Sequence, residues 1–452
     1  GVRDTLVPGD SSPHPPSNNG EPPTEPESED CLCLNVWTPG VGDGRQRPVL
    51  FWCHGGGFTM GSGWAKESHG RNLAHRGDVV VITINHRLGP LGFFYLGELA
   101  GEEYPASGNF GMLDIVAALE WVRDNIALFG GDPGNVTVFG ESGGGAKVSA
   151  LMAMPSAVGL FHRAITQSGP GLRLTTREKA IANANKVLKE LGISARNADR
   201  LHTLTVAEIF AANARVNKDV RRGWAPVFDG HVFLQDPFDP VAPAISAHVP
   251  LMIGTNKDES TGFFLADPEV MTLDEAGLRT RVRGFAGERT DALIEVYRRV
   301  HPDAAPSDLF FAVASDWMMR MNSITVAERK QAQGAAPVFM YLFTWETPIL
   351  NGRLKSCHAL EIPFVFDNIE RCTDLTGGAP ECSAIAEHMS EAWLAFARDG
   401  VPSYRGLPTW PAYTPEERAT MIFDTTCRVV NDPGGEIRQA WDGMFIAGIR
   451  LA

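Results

Sequence analysis

The chain has 452 residues, 44% hydrophobic and 21% charged, with a formal net charge of −14. That length buries a large core without staples, and that charge argues against a nucleic-acid or anionic-membrane partner and for a small neutral molecule. No stretch approaches the ~18 apolar residues of a membrane span. The chain starts on Gly1 rather than Met, so the lack of a visible leader says little about compartment. Seven cysteines is an odd count, so at least one finds no partner within the chain. None sits in a C-x-x-C or other zinc spacing; Cys372 and Cys382 share a Gly/Pro-containing loop and could form a disulfide.

In chain order, residues 8–29 are rich in Pro, Ser, Asn and Glu and read as an exposed loop. Five short apolar runs then read as strands: 48–53 (PVLFWC), 78–84 (DVVVITI), 135–139 (NVTVF), 250–254 (PLMIG) and 338–343 (VFMYLF). They are rich in β-branched and aromatic residues, and their apolarity is continuous rather than alternating, as in strands covered on both faces. Between them, residues 113–129 carry Leu119, Val122, Ile126 and Phe129 on one helical face. Residues 383–398 form a second helix that stops at Asp399-Gly400. Alternation of this kind predicts an α/β fold, a mostly parallel sheet with helices on both faces. Such sheets carry their sites beyond the carboxyl ends of the strands.

The segments just past the strand ends are therefore the informative ones. After 135–139 comes Gly140-Glu141-Ser142-Gly143-Gly144, a G-x-S-x-G between strand and helix. A strand that turns at once into a helix holds Ser142 in a strained conformation, needs small neighbours at Gly140 and Gly144, and exposes Oγ at a helix N-terminus. After 48–53 comes His54-Gly55-Gly56-Gly57-Phe58, the HGGG-type loop whose N–H groups, from Gly56 and Gly57 with Gly143, can face an oxyanion. His54 reads as a loop-orienting hydrogen-bonder rather than a catalyst. Lys147 is misplaced for a phosphate-binding loop.

The base should be one of the seven histidines after Ser142. His358 suits best, because it follows the 338–343 strand by a loop and precedes an apolar run. The acid should follow the 250–254 strand, where Asp258 and Glu259 are adjacent. Pattern alone does not choose between them. Phe58 and Trp224 are candidate walls of the substrate pocket, with core packing the competing reading for both.

Together these segments resemble the type-B carboxylesterases, the branch that includes cholinesterases and bacterial para-nitrobenzyl esterases. The resemblance runs from Ser28 to about residue 440 through SEDCLCLNVWTP (28–39), HGGGF (54–58), NHRLGPLGF (85–93), the long stretch 108–145, ITQSG (165–169), GTNKDES (254–260) and HALEIPFVF (358–366). It implies one α/β-hydrolase catalytic domain over 1–452, with 1–27 a Pro-rich loop and the family's usual N-terminal strand pair absent. It also implies Ser142 as nucleophile, Glu259 as acid, His358 as base, and Gly56, Gly57 and Gly143 as oxyanion donors. Ser168 is implied as a hydrogen-bonder near acid and histidine, and Glu141 as a residue bordering the pocket. No cofactor or metal is implied. The family often has Tyr at Cys33, Gln at Ile115 and Gly at Ser260, and the choline-binding aromatic gorge has no counterpart. The expected activity is hydrolysis of small to medium neutral carboxylic esters. The same triad could serve an amidase, thioesterase or lactonase, and the fold also has catalytically silent interaction modules.

Overall fold

All five apolar runs are strands in the computed structural model, which describes residues 5–15, 25–101, 103–217, 219 and 223–444. The strands are β1 (Leu34–Trp37), β2 (Arg47–Cys53), β3 (Val80–Ile84), β4 (Gly131–Glu141), β5 (Arg163–Gln167), β6 (Leu251–Asn256), β7 (Val338–Phe343), β8 (Ala419–Phe423) and β9 (Arg428–Asn431). The chain forms two compact units. One holds the residues up to Ile165 and Gly171–Val249; the other holds Thr166–Pro170 and the chain from Pro250 onward. β5 contributes residues to both.

In the first unit β2 lies between β3 and β4, parallel to each, and β1 adds antiparallel to the outer edge of β3. In the second unit β6, β7 and β8 run parallel, and β9 turns back on β8 as a hairpin. Every residue of β3, β6 and β8 is buried, as strands covered on both faces must be. The helix Phe110–Asn125 continues as a 3₁₀ turn through Phe129, and it buries Leu119, Val122 and Ile126. The helix Cys382–Asp399 ends at Gly400, whose φ of 75° lets its N–H close on the Phe396 carbonyl, a stop that favours glycine.

Two expectations change. The stretch 8–29 is not an exposed loop throughout. Ser11 and Ser12 are buried, Ser11 bridges to Glu27, and the Ser12 hydroxyl accepts the Leu88 N–H. Trp64 Nε1 and Asn85 Nδ2 donate to the carbonyls of Gly9 and Asp10. Backbone polar groups here serve as partners for the fold, which composition does not reveal. Residues 1–4 and 16–24, within the N-terminal loop, and residues 445–452 lie outside the described residues. The second change concerns the possible disulfide. Cys372 and Cys382 are separate thiols, both buried, and the Cys382 thiol points to the Thr376 carbonyl. Among the described residues no helix is long and apolar enough to cross a membrane, and no cluster of three His, Cys, Asp or Glu could hold a metal ion.

Candidate active site

β4 ends at Glu141, and the helix Gly143–Leu151 starts two residues later, so Ser142 makes the whole turn. Its backbone adopts φ 56° and ψ −122°, a conformation that costs a non-glycine residue about 1–3 kcal/mol. Neighbouring backbone crowds the turn. A Cβ on Gly144 would stand 2.0 Å from the Cys53 carbonyl oxygen, and one on Gly140 would stand 2.6 Å from the same atom. Gly144→Ala should therefore destabilise the chain by at least about 3 kcal/mol, since rigid backbone on both sides must give. Urea unfolding of the variant measures this, and a loss under about 1 kcal/mol would refute the crowding argument.

The loop after β2 packs against this turn. A Cβ on Gly143 would lie 2.5 Å from the Gly57 nitrogen, so the two backbones touch. Gly56 and Gly57 have φ of 81° and 62°, which lets the chain double back. The carbonyls of His54, Gly55 and Gly56 are all engaged. His54 O accepts from Lys147 Nζ at 2.8 Å, Gly55 O from His54 Nδ1 at 2.8 Å, and Gly56 O from the N–H groups of Thr59 and Met60. A carbonyl can only accept, so His54 carries its proton on Nδ1; burial holds its pKa well below the ordinary histidine value. His54 is thus a neutral loop brace, stacked on His86 at 4.8 Å.

Lys147 is the residue whose importance sequence reading missed. It is fully buried, its ammonium lies 5.6 Å from the Phe58 ring centre, and burial pushes its pKa down to about 7. A lone Lys in the small and apolar run 143–154 was the available signal. In the unfolded chain it titrates near 10.5, so between pH 7 and 10 the unfolded state holds a proton the folded state lacks, and stability rises with pH. Relative to Lys147→Met, the native protein should therefore gain up to about 4 kcal/mol over that window. Paired urea titrations at pH 7 and pH 10 test it, and a difference independent of pH would refute it.

In the second unit, His358 Nδ1 and Glu259 Oε2 are 2.6 Å apart, with Glu259 fully buried. The other oxygen, Oε1, accepts the Asn256 N–H at 2.8 Å. The His358 ring packs 4.9 Å from that of Phe263. Asp258 points elsewhere, to the Ser356 N–H and Lys257 Nζ. Pattern left the two carboxylates open; the geometry pairs Glu259 with the histidine. Ser260, where relatives often have Gly, is absorbed by hydrogen bonds to Ser315 and Phe311.

A second buried carboxylate, Glu361, was not anticipated. It accepts from Asn256 Nδ2 at 2.6 Å and Gln167 Nε2 at 3.1 Å, and Trp393 Nε1 braces Gln167 at 3.0 Å. Burial, then the charge of Glu259, raises its pKa. The polar residue embedded in the apolar stretch after His358 was the sequence signal.

Glu141 is buried at the end of β4, its carboxylate beside Gly55. Ser168 has φ 46° and ties its N–H to Gly254 O at 2.9 Å. Its buried hydroxyl makes no hydrogen bond among the described residues. Phe58 and Trp224 are both buried. Phe58 packs edge-on against Phe93, and Trp224 packs on Phe94 and donates to Asn213.

A mostly parallel sheet, a strained strand–Ser–helix elbow and a buried His–Glu pair define a serine hydrolase of the α/β-hydrolase fold. The sequence model of the Carboxylesterase family matches residues 1–439. Para-nitrobenzyl esterase of Bacillus subtilis is 37% identical over 425 residues, 91% of this chain and 83% of that protein. Phenmedipham hydrolase of Pseudarthrobacter oxydans is 34% identical over 97% of this chain and 87% of its own length. A crystal structure of a Geobacillus stearothermophilus carboxylesterase superposes with a TM-score of 0.86 at 40% identity, covering 98% of this chain and 90% of that one. The chain belongs to the carboxylesterase family and is a serine carboxylic ester hydrolase.

Proposed function

We propose that the chain, with both units acting as one catalytic domain, hydrolyses small to medium neutral carboxylic esters through an acyl-enzyme on Ser142. Ser142 Oγ attacks the ester carbonyl carbon while His358 Nε2 takes its proton; the C–O bond to the alcohol breaks as His358 returns that proton to the leaving oxygen. Water then attacks the acyl-enzyme with the same base, releasing the acid and restoring Ser142. Gly56, Gly57 and Gly143 N–H groups stabilise the tetrahedral oxyanions, each worth about 3 kcal/mol in such sites. Glu259 keeps His358 in the tautomer with Nδ1–H and steadies the imidazolium.

The observation that carries this reading is the 2.6 Å contact between His358 Nδ1 and a fully buried Glu259, in a chain whose Ser142 occupies the strained elbow. The net charge of −14 favours neutral over anionic esters. The test is intact mass and peptide mapping after a fluorophosphonate, with p-nitrophenyl butyrate and its matched anilide assayed alongside. One adduct, on Ser142, and ester turnover well above anilide turnover are expected. A folded protein that takes no adduct would sink the reading, and equal anilide turnover would move it to an amidase.

A further inference from the structure

Burying an ammonium is costly, and an apolar side chain of the same length would fill the space with no such penalty. Lys147 is nevertheless fully buried, one turn into the helix that starts after Ser142. Its Nζ donates to the carbonyl of His54, the residue that opens the glycine loop, and faces the ring of Phe58, the residue that closes it.

The consequence comes from peptide geometry. In a trans peptide the C=O of one residue and the N–H of the next point in opposite directions. Fixing the carbonyls of His54, Gly55 and Gly56 therefore fixes the N–H groups of Gly55, Gly56 and Gly57. Lys147 holds the first of these planes, the His54 side chain the second, and the Thr59 and Met60 N–H groups the third. Gly55–Gly57 have no side chains to hold the loop, so these bonds do it.

We propose that Lys147 is a positioning residue for ester hydrolysis: it holds the His54 carbonyl, and with it the first peptide plane of the glycine loop, so that the two planes that follow present the Gly56 and Gly57 N–H groups in register for the oxyanion. The inference rests on the proposed oxyanion role of those glycines. Glu141 and Cys53 face the same ammonium, and His54 and His86 feel its charge. The brace itself is an N–H donated to the His54 carbonyl, which the amine supplies with or without its extra proton.

The experiment compares wild type, Lys147→Met and Lys147→Gln as full chains, each titrated with the fluorophosphonate to count competent sites. kcat and KM are measured on p-nitrophenyl butyrate, and Ki on an alkyl trifluoromethyl ketone, which adds to serine as an oxyanion. Lys147→Met should lower kcat about 10- to 100-fold with KM changed less than about threefold, and weaken the ketone by a similar factor. Lys147→Gln keeps an N–H that can reach the carbonyl and should recover part of the loss; it also carries the test should the Met variant not fold. A variant that titrates fully yet keeps wild-type kcat and ketone affinity overturns this proposal alone. Wild type that takes no adduct overturns it together with the reading of Ser142.

Discussion

Ser142→Ala is expected to lower kcat on p-nitrophenyl butyrate by about 10⁶-fold, leaving only the residual acceleration that oxyanion donors and binding provide. The loss is large because nothing else in the elbow can form the acyl-enzyme. The backbone of Ser142, at φ 56° and ψ −122°, stores strain that only function justifies. A companion variant, Ser142→Gly, separates the two roles. Glycine adopts that conformation freely, so it should be equally inactive yet more stable than wild type by about 1 kcal/mol, measured by urea unfolding. If Ser142→Ala keeps more than about a hundredth of the activity in protein free of contaminating esterase, another nucleophile must be sought.

Glu259→Gln is expected to cost about 10⁴-fold in kcat, the scale seen when the carboxylate of a Ser-His-acid triad becomes an amide. Here the direction can be derived. Glu259 Oε1 faces an N–H, that of Asn256. The amide oxygen of the variant must stay on that side, so its NH₂ faces His358 Nδ1. Nδ1 then has to accept, the ring proton moves to Nε2, and His358 can no longer take the serine proton. KM should change little, because the ester does not touch the acid. Asp258→Asn is the control: Asp258 bonds the Ser356 N–H and Lys257, and its loss should leave kcat within a fewfold of wild type. Equal losses from the two variants would undo the assignment of the acid.

Some strands could not be read from sequence for definable reasons. β5 is five residues with Arg and Gln at its ends, and β1 is a four-residue edge strand, half-buried throughout. Neither offers an apolar run long enough to stand out. β8 and β9 pair with each other as a hairpin, and β9 alternates too briefly to be seen. β2, β3, β4, β6 and β7 were legible because burial on both faces demands continuous apolarity. The elbow and the glycine loop were legible because each is contiguous and its chemistry is backbone chemistry.

Ser142, Gly56, Gly57 and Gly143 thus emerge from the amino-acid sequence by itself: a strained turn and an N–H-rich loop require particular small residues at adjacent positions. The tertiary structure decided what lies far apart in the chain. It paired Glu259 rather than Asp258 with His358 across 99 positions, set Glu361 and Gln167 together across 194, buried the strap around Ser11, kept Cys372 and Cys382 as separate thiols, and brought the Lys147 ammonium under His54 across 93. The physical reason is common to the polar pairings among these. Most buried polar atoms find a partner, but which partner depends on how distant elements are packed, and no local pattern encodes that.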